Sequence, residues 1–523
     1  MSEQRTKFYR FLSDFNRLKW GIAVKALLTG AVAGLITVLY RLLIEHGTAF
    51  AVACYAYFRE HPVFLIPWAL GAVIAGLFVA WLVKLEPSAA GSGIPQVEGA
   101  VLLGMELKWR SVLAVRFLAG GICGLFGLSL GREGPSIQIG AAGAKAVSGL
   151  LGRSKVEENY LITGGAAAGL AAAFNAPLSG VIFALEEVHR NFSPTIMLTA
   201  TAASLVADFV SKYFFGLTPE LHFTQIPQLP IHMYFWMLPL GALTGFVGGL
   251  LNRALLAAGP LSGKLLPARW RPAAVMLLSI PCGLFLPLTL GGGRDLIEFA
   301  QTATGGISLL LVLLAVKFLF TCASFGSGVP GGIFMPILAI GTLTGSVFGI
   351  ACVELGLVPA QYIPDFAVCA MTAALAASVK APITAVLLTV EMTGTLVHML
   401  PVAACALAAL LVSDLMKVEP IYEALLNRSV EKEREAPKAH EAPEGKNLME
   451  IPVELGSCAA GRRIDEIGWP VGTLIVSLMR GNRDIIPRGE TTLLPGDYLV
   501  VLYPQGQEKE VRAAITDLCH EKF

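Results

Sequence analysis

Charged residues are scarce in this sequence of 523 residues, in which Asp, Glu, Lys and Arg together account for 15%. A soluble globular chain carries about 25%, so the composition argues against an ordinary soluble protein. Lysines and arginines number 39 against 38 acids, and without a basic excess we expect no nucleic-acid partner. The nine cysteines stand singly, with no CxxC pair and no Cys/His spacing suited to zinc. We therefore expect no bound metal, and no motif predicts a cofactor.

Apolar residues are abundant instead: 55% of the chain is hydrophobic, and the mean hydropathy is +0.66. A transmembrane helix needs about 20 predominantly apolar residues, and runs of this kind recur along most of the chain. The pattern predicts an all-α polytopic membrane protein embedded in a lipid bilayer. The clearest runs are 21–44, 62–83, 112–130, 195–211, 234–257, 273–291, 307–325 and 398–416.

Other apolar segments are interrupted by glycine and proline. An interrupted helix cannot face lipid, because its freed backbone groups would lack partners, so these segments must be buried in protein or line a cavity. They also repeat: Gly131–Pro135 and Gly332–Pro336 are each followed five residues later by a glycine, and Ala172–Glu186 matches Ser378–Glu391. Interrupted segments at corresponding positions predict two repeated halves with the substrate at their interface. The sequence leaves open whether the repeats are inverted.

The stretch Gly131–Pro135 places a glycine turn before a helix, and Gly332–Pro336 and Gly91–Pro95 offer two more such turns. Backbone N–H groups at a helix start carry partial positive charge and suit an anion. Three turns that meet would bind a monovalent anion without a full charge to trap it. Glu133 in such a site would compete with the anion when ionised and swing away when protonated, which would make it a gate and a proton carrier. The alternative is a glutamate that caps its own helix.

Through these three stretches, in this order, the chain resembles the CLC family of chloride channels and transporters over about residues 20–426. The resemblance extends to Asn175–Pro177, to the pair Glu186 and Glu187, and to the tyrosine within Glu419–Glu423. It implies chloride and protons as the transported ions. It also implies a homodimer with one pathway in each subunit.

The resemblance implies roles for individual residues, with Glu133 as the outer gating glutamate and Glu187 as the inner proton acceptor. From the residues alone, Ser92 is equally a candidate helix cap, Tyr422 an interfacial tyrosine, and Glu187 a surface acid. The resemblance also implies that the hydroxyl groups of Ser92 and Tyr422 and the backbone amides of Ile333 and Phe334 bind the central anion. Arg132 and Glu98 would be supporting residues.

The acid at position 187 favours a coupled antiporter, because channels of the CLC family usually lack it. Ser92 resembles the chloride branch of the family, and bromide or nitrate would also fit. We therefore predict a secondary active antiporter that exchanges chloride for protons, with a passive voltage- or pH-gated chloride channel as the alternative. An enzyme is not expected, because the sequence contains neither an evident Ser/His dyad nor intramembrane aspartates at matching positions of the halves.

Charge and composition divide the chain into a basic N-terminal helix (1–20), a transport domain (21–426), a charged linker (427–447) and a small α+β domain (448–523). This last part resembles TrkA-C, the C-terminal lobe of RCK regulators, through Arg483–Arg488 and Thr491–Asp497. Such lobes pair and often bind a small ligand, so the domain would be either regulatory or a passive dimerisation module. The basic flank before the first apolar run predicts a cytoplasmic N-terminus. We expect the C-terminal domain in the cytoplasm too, and a prokaryotic plasma membrane.

Overall fold

The computed structural model describes residues 2–519 except 152–154, 191, 222, 224–228, 303–304, 397, 436–445, 455, 481–482 and 505–507. Within its helices and strands, it leaves undescribed the side chains of 2–20, 155–156, 432–435, 446–448, 450, 483–484, 504 and 508–509. The backbone forms two compact units. One comprises Met1–Val97 and Leu107–Arg428, and the other Glu98–Glu106 and Ser429–Phe523.

The first half of the larger fold is a series of eight helices in the described residues. The third, fifth and seventh of them begin inside an apolar segment. Each begins either directly after a glycine turn or at a proline, whose fixed φ suits the first position of a helix. The eight are α1 (Ser2–Glu60), α2 (Leu65–Leu85), α3 (Ile94–Leu102), α4 (Trp109–Leu125), α5 (Glu133–Leu151), α6 (Lys155–Phe174), α7 (Pro177–Phe183) and α8 (Pro194–Phe215).

The second half repeats this order of long and short helices, again as the structure describes them. Its eight helices are α9 (Met237–Leu265), α10 (Arg271–Phe285), α11 (Arg294–Gln301), α12 (Gly306–Gly326), α13 (Phe334–Glu354), α14 (Ile363–Val379), α15 (Pro382–Thr393) and α16 (Met399–Leu415). A further helix, α17 (Ile421–Glu435), follows them.

Helix packing follows the same repeat. Helix α5 packs along α6 as α13 packs along α14, and α6 packs against α8 as α14 packs against α16. Helix α1 lies on α8 in the way that α9 lies on α16. The predicted all-helical fold with two repeated halves is confirmed.

Small residues allow the outer pair of helices in each half to approach closely. A Cβ atom on Gly34 of α1 would lie 2.8 Å from the Cα of Ala207 in α8, and one on Gly245 of α9 would lie 2.8 Å from the Cα of Ala409 in α16. Lipid supplies no hydrophobic force between helices, so such close backbone contact is a main source of their association.

Seven of the described helical segments are long and apolar enough to cross a membrane. The apolar stretch of one of them, Ala360–Val379, is 94% buried by its neighbours. This burial explains why the interrupted segments can leave the helical pattern within the apolar zone. The segments are Gly21–Glu60, Pro62–Leu85, Pro194–Phe215, Ile231–Leu265, Gly306–Gly326, Phe334–Glu354 and Ala360–Val379.

The smaller unit contains an antiparallel sheet in the order β1-β4-β2-β3, with β1 (Lys446–Pro452), β2 (Leu474–Arg480), β3 (Arg483–Ile485) and β4 (Asp497–Pro504). Helix α18 (Glu508–Cys519) follows the sheet. Arg480 donates to both carboxylate oxygens of Asp497 at 2.8 Å, and this hydrogen bonding raises the pKa of the guanidinium. The buried core includes Leu478, Leu493, Leu499, Val501 and Ile515.

The observed helices cross two of the domain boundaries expected from the sequence. Helix α1 runs without a break from Ser2 into the first apolar run, and α17 extends to Glu435, beyond the expected start of the linker at 427. The central part of that linker, 436–445, lies outside the described residues, as do the side chains of the basic N-terminal segment.

Candidate functional site

The three glycine turns meet, and backbone hydrogen bonds join them. Gly131 and Gly332 exchange a reciprocal pair, in which each N–H donates to the other's carbonyl at 2.7 Å. Gly91 belongs to the same junction, because its N–H donates to the carbonyl of Val329 at 3.2 Å and its carbonyl accepts from Gly331 at 3.1 Å. A reciprocal bond between equivalent residues is what a local two-fold axis produces. The two repeats therefore meet at this junction.

Helices α3, α5 and α13 all begin at the junction. The first N–H groups of a helix have no acceptor within it, and the backbone amides of Ile333 and Phe334 at the start of α13 belong to this class. Both residues are fully buried. The ring of Phe334 packs against those of Phe174 and Phe183, with centroids 5.8 and 6.4 Å apart. The helix start is thus fixed by packing.

Ser92 projects from the first turn and is 2% exposed, and its hydroxyl has no hydrogen-bond partner among the described residues. The wall beside it is Gly134, where a Cβ atom would lie 2.7 Å from the carbonyl oxygen of Ser92. An unpaired buried hydroxyl costs about 1–3 kcal/mol. Because the hydroxyl does not bond the backbone of α3, Ser92 does not cap this helix.

Glu133 is the first residue of α5 and is 2% exposed. Its carboxylate interacts with its own backbone N–H and with that of Met335 in α13. Its Oε2 atom, directed at Gly131, has no hydrogen-bond partner in the described part of the chain. The side chain therefore lies at the starts of both α5 and α13, next to the place where an anion would be held.

A cavity of about 570 Å³ lies beside Glu133 and reaches solvent-accessible residues of α1. Charged groups of both signs border it together with a run of three glycines before α11. Its lining includes Glu45, Arg132, Glu133, Gly291–Gly293 and Arg294.

Arg132, which the sequence marks as a supporting residue, belongs to a buried ionic network. Its Nη2 atom donates to Oε1 of Glu220 at 2.6 Å, and its Nη1 atom donates to Glu45. Arg41 donates to the second oxygen of Glu220 at 2.6 Å and to Glu45 at 3.1 Å. Arg132 is thus held by two acids directly beside Glu133.

Sequence reasoning missed Arg41 and Glu220. Arg41 stands near the end of the first apolar run (21–44), and Glu45 follows four residues later, just past that run. A charge pair at this helical spacing at the edge of an apolar run was an available signal. Glu220 follows α8 in a loop, and its side chain is only 1% exposed. No local pattern identifies that position.

Glu187 lies in a π-helical turn, Ala184–Val188, that continues α7, and it is 5% exposed. The prediction left open a surface acid at this position, and burial contradicts that alternative. Its neighbour Glu186 points elsewhere, since its carboxylate accepts from the backbone N–H groups of Ile383 and Thr384 at 3.3 and 2.8 Å. The two adjacent acids therefore have separate surroundings.

Glu186 has a repeat-related counterpart. Glu391 of α15 accepts from the N–H groups of Leu178 and Ser179 at 3.1 and 2.7 Å, at the start of α7. Each acid thus caps the first turn of the corresponding helix in the other half, where backbone donors are unsatisfied. The reciprocal caps tie α7 to α15.

The last two predicted site residues are also buried. Tyr422, the second residue of α17, has no exposed surface. Its neighbour Glu423 pairs with Arg190 at 3.0 Å, which anchors the start of α17 near the segment that follows Glu187. Glu98 lies within α3 and has no exposed surface either.

Two family models match the chain. The model described as voltage gated chloride channel matches residues 75–414, and the TrkA-C domain matches residues 448–516. The first match lies within the predicted transport domain (21–426), and the second lies within the predicted C-terminal domain (448–523).

Curated relatives named H(+)/Cl(-) exchange transporter ClcA match most of the chain. The protein from Salmonella paratyphi A is 33% identical over 454 residues, covering 84% of this chain and 95% of the relative. The one from Cronobacter sakazakii is 34% identical over 452 residues, covering 82% and 94%. Relatives of this kind are transporters, and this chain is not an enzyme.

Solved structures match as well. A slow cyanobacterial Cl-/H+ antiporter superposes with a TM-score of 0.73 at 30% identity, covering 79% of this chain and 99% of the other. A CLC-type fluoride/proton antiporter, with a TM-score of 0.64 at 22% identity over 77% of this chain and 97% of the other, shares the fold. This chain is a multi-pass membrane protein of the voltage-gated chloride channel (CLC) family, with a C-terminal TrkA-C domain.

Proposed function

We propose that this chain is a secondary active antiporter that exchanges chloride for protons. The observation that carries the proposal is the junction of Gly131 and Gly332, at which a buried glutamate occupies helix N-termini suited to an anion. An acid that leaves this place on protonation would couple the movement of the anion to that of the proton. The names of the relatives and the cyanobacterial antiporter structure support the same exchange.

In this proposal Glu133 is the gate and Glu187 receives protons from the other side. The hydroxyls of Ser92 and Tyr422 and the amides of Ile333 and Phe334 hold the central anion. Arg132 supports the site by stabilising the ionised state of its neighbours, and Glu98 lines the proton path. Bromide and nitrate, which are also monovalent and weakly hydrated, would share the pathway.

The experiment that tests the function is exchange in liposomes. The purified protein is reconstituted, a chloride gradient is imposed, and internal pH is followed with the membrane potential clamped by valinomycin and potassium. Uphill proton movement that reverses with the gradient supports the antiporter. Chloride flux without proton movement would instead indicate the passive channel.

Replacing Glu187 with Gln is expected to stop proton flux and spare chloride flux, because the amide cannot accept a proton while the anion site is untouched. Parallel measurement of chloride efflux and internal pH in liposomes checks this. The neighbouring Glu186→Gln variant is the matched comparison, since it changes a helix cap and not the proposed acceptor. Normal proton pumping by Glu187→Gln would place the proton path elsewhere.

Removing both hydroxyls, by Ser92→Ala with Tyr422→Phe, is expected to weaken chloride binding about tenfold or more. Each hydrogen bond to a charged group contributes roughly 1.5–3 kcal/mol. Isothermal titration of chloride into detergent-solubilised protein measures the change. A double variant that binds chloride like the parent protein would move the central site away from these hydroxyls.

We propose that the protein works as a homodimer in a prokaryotic plasma membrane, with the N-terminus and the TrkA-C domain in the cytoplasm. The homodimer is what the resemblance to the CLC family implies. The TrkA-C domain would pair too and bind a small regulatory ligand. Size-exclusion chromatography with light scattering gives the oligomeric state.

A further inference from the structure

Two fully buried cations stand at equivalent places in the two repeats. Arg116 of α4 lies fifteen residues before Gly131, and Lys317 of α12 lies fifteen residues before Gly332. Both are 0% exposed, and no other lysine or arginine in the described residues is. Neither residue is among the predicted site residues, and neither belongs to the ionic network around Arg132.

Arg116 holds the turn that carries Ser92. Its Nη1 atom donates to the carbonyl of Gly91 at 2.7 Å, and its Nε atom donates to Oε1 of Gln138 at 2.6 Å. Gln138 in turn donates to the carbonyl of Ser88 at 2.9 Å, just before the turn. The guanidinium therefore fixes, directly and through Gln138, the backbone that leads into Ser92, the predicted anion ligand.

Lys317 holds the corresponding turn of the second repeat. Its Nζ atom donates to the carbonyl of Gly291 at 2.7 Å and to that of Thr289 at 3.1 Å. The turn Gly291–Gly293 borders the cavity beside Glu133. One cation thus contacts the turn at the anion site, and the other contacts the turn in front of the gate.

The two turns have the same backbone conformation. φ is +63° at Gly91 and +59° at Gly291, and it is +98° at Gly93 and +108° at Gly293. A short helix begins at the next residue in each case. These left-handed values favour glycine. The two turns are therefore one repeated structure, in which a cationic side chain donates a hydrogen bond to the carbonyl of the first glycine.

The positive charge of Arg116 is not balanced by an acid in the described part of the chain. Its Nη2 atom has no hydrogen-bond partner there, and its acceptors are neutral amide groups. A guanidinium stays charged in proteins, and an unpaired buried charge is costly unless something of opposite sign compensates it. An anion bound beside Ser92 would supply the compensating negative charge.

We propose that Arg116 and Lys317 are repeat-related positioning residues, each holding the glycine turn at one step of the ion path, and that Arg116 also raises the affinity of the central site for its anion. This inference rests on the proposed function for the anion's identity. The positioning itself does not depend on transport.

Isothermal titration of chloride separates the two cations. Arg116→Met is expected to weaken chloride binding about tenfold, as loss of one nearby charge implies, and Arg116→Lys to retain most of the affinity. Gln138→Glu keeps the guanidinium but places a carboxylate against it, so chloride binding falls by a similar factor. Lys317→Met is expected to change affinity less than about threefold while slowing exchange in liposomes about tenfold, and Lys317→Arg restores the rate.

Amide hydrogen exchange tests the positioning without relying on transport. Arg116→Met should speed exchange in residues 88–97 only, and Lys317→Met in residues 289–295 only. Unchanged exchange in both segments would overturn the positioning, and unchanged chloride affinity in Arg116→Met and Gln138→Glu would overturn the electrostatic part. A parent protein that neither binds nor carries chloride would refute the proposed function, whereas the exchange result would still decide whether the cations hold the turns.

Discussion

Replacing Glu133 with Gln is expected to abolish proton movement altogether while chloride continues to flow. The carboxylate of Glu133 interacts with backbone N–H groups at the starts of α5 and α13, which is where an anion would be held. Glutamine matches its shape but carries no charge and takes up no proton. It would therefore compete weakly with the anion, and each chloride would pass without an accompanying protonation step.

Chloride efflux and internal pH are followed in the same liposomes, so that the ratio of the two fluxes is read directly. Glu354→Gln is a matched control, because Glu354 ends α13 at an exposed position and the substitution is the same. We expect that control to keep the parent ratio. Proton pumping that survives in Glu133→Gln would assign the gate to another acid, and a complete loss of both fluxes would mean that the gate cannot open without its charge.

The core of the site could be predicted from the sequence because backbone chemistry dominates it. Glycine and proline in an apolar segment leave unsatisfied N–H groups whatever the tertiary structure, and the equal spacing of Gly131–Pro135 and Gly332–Pro336 shows that the halves repeat. The same reasoning covers Ser92, whose position within a glycine turn is visible in the sequence. Burial of Glu133 and Glu187 follows from their apolar surroundings.

The parts that the sequence did not reveal depend on contacts between distant elements. Glu220 belongs to the site because it meets Arg41, 179 residues earlier, and no local pattern specifies such a pair. The sequence shows that Glu186 and Glu391 occupy matching positions in the two repeats. It does not show that each acid caps a helix of the other half. The turn at Gly291 carries no proline, so its likeness to the turn at Gly91 appears only in the backbone angles.

Glu220→Ala is expected to cause the largest loss of stability of any single substitution in this network. The side chain of Glu220 is 1% exposed, and its two oxygens accept from Arg41 and Arg132, each at 2.6 Å. Without it, the guanidiniums of Arg41 and Arg132 would share only Glu45, and Arg294, whose Nη1 atom lies 3.7 Å from Oε1 of Glu220, would lose this partner too. Removing one member of a buried ionic group destabilises by about 3–5 kcal/mol.

Thermal unfolding in detergent, compared under identical conditions, measures this effect. The control is Glu423→Gln, which breaks the ion pair with Arg190 where both side chains are about a third or more exposed, at 32% and 44%, and which should cost no more than about 1 kcal/mol.

Arg41→Met added to Glu220→Ala should recover part of the lost stability, because the double change removes a charge together with its counter-charge. If Glu220→Ala unfolds like the control, the network contributes little to the stability of the fold. The position of Arg132 beside Glu133 would then be set by the turn at Gly131 alone. The acids of the network would change the electrostatic potential at Glu133 and not the stability of the fold.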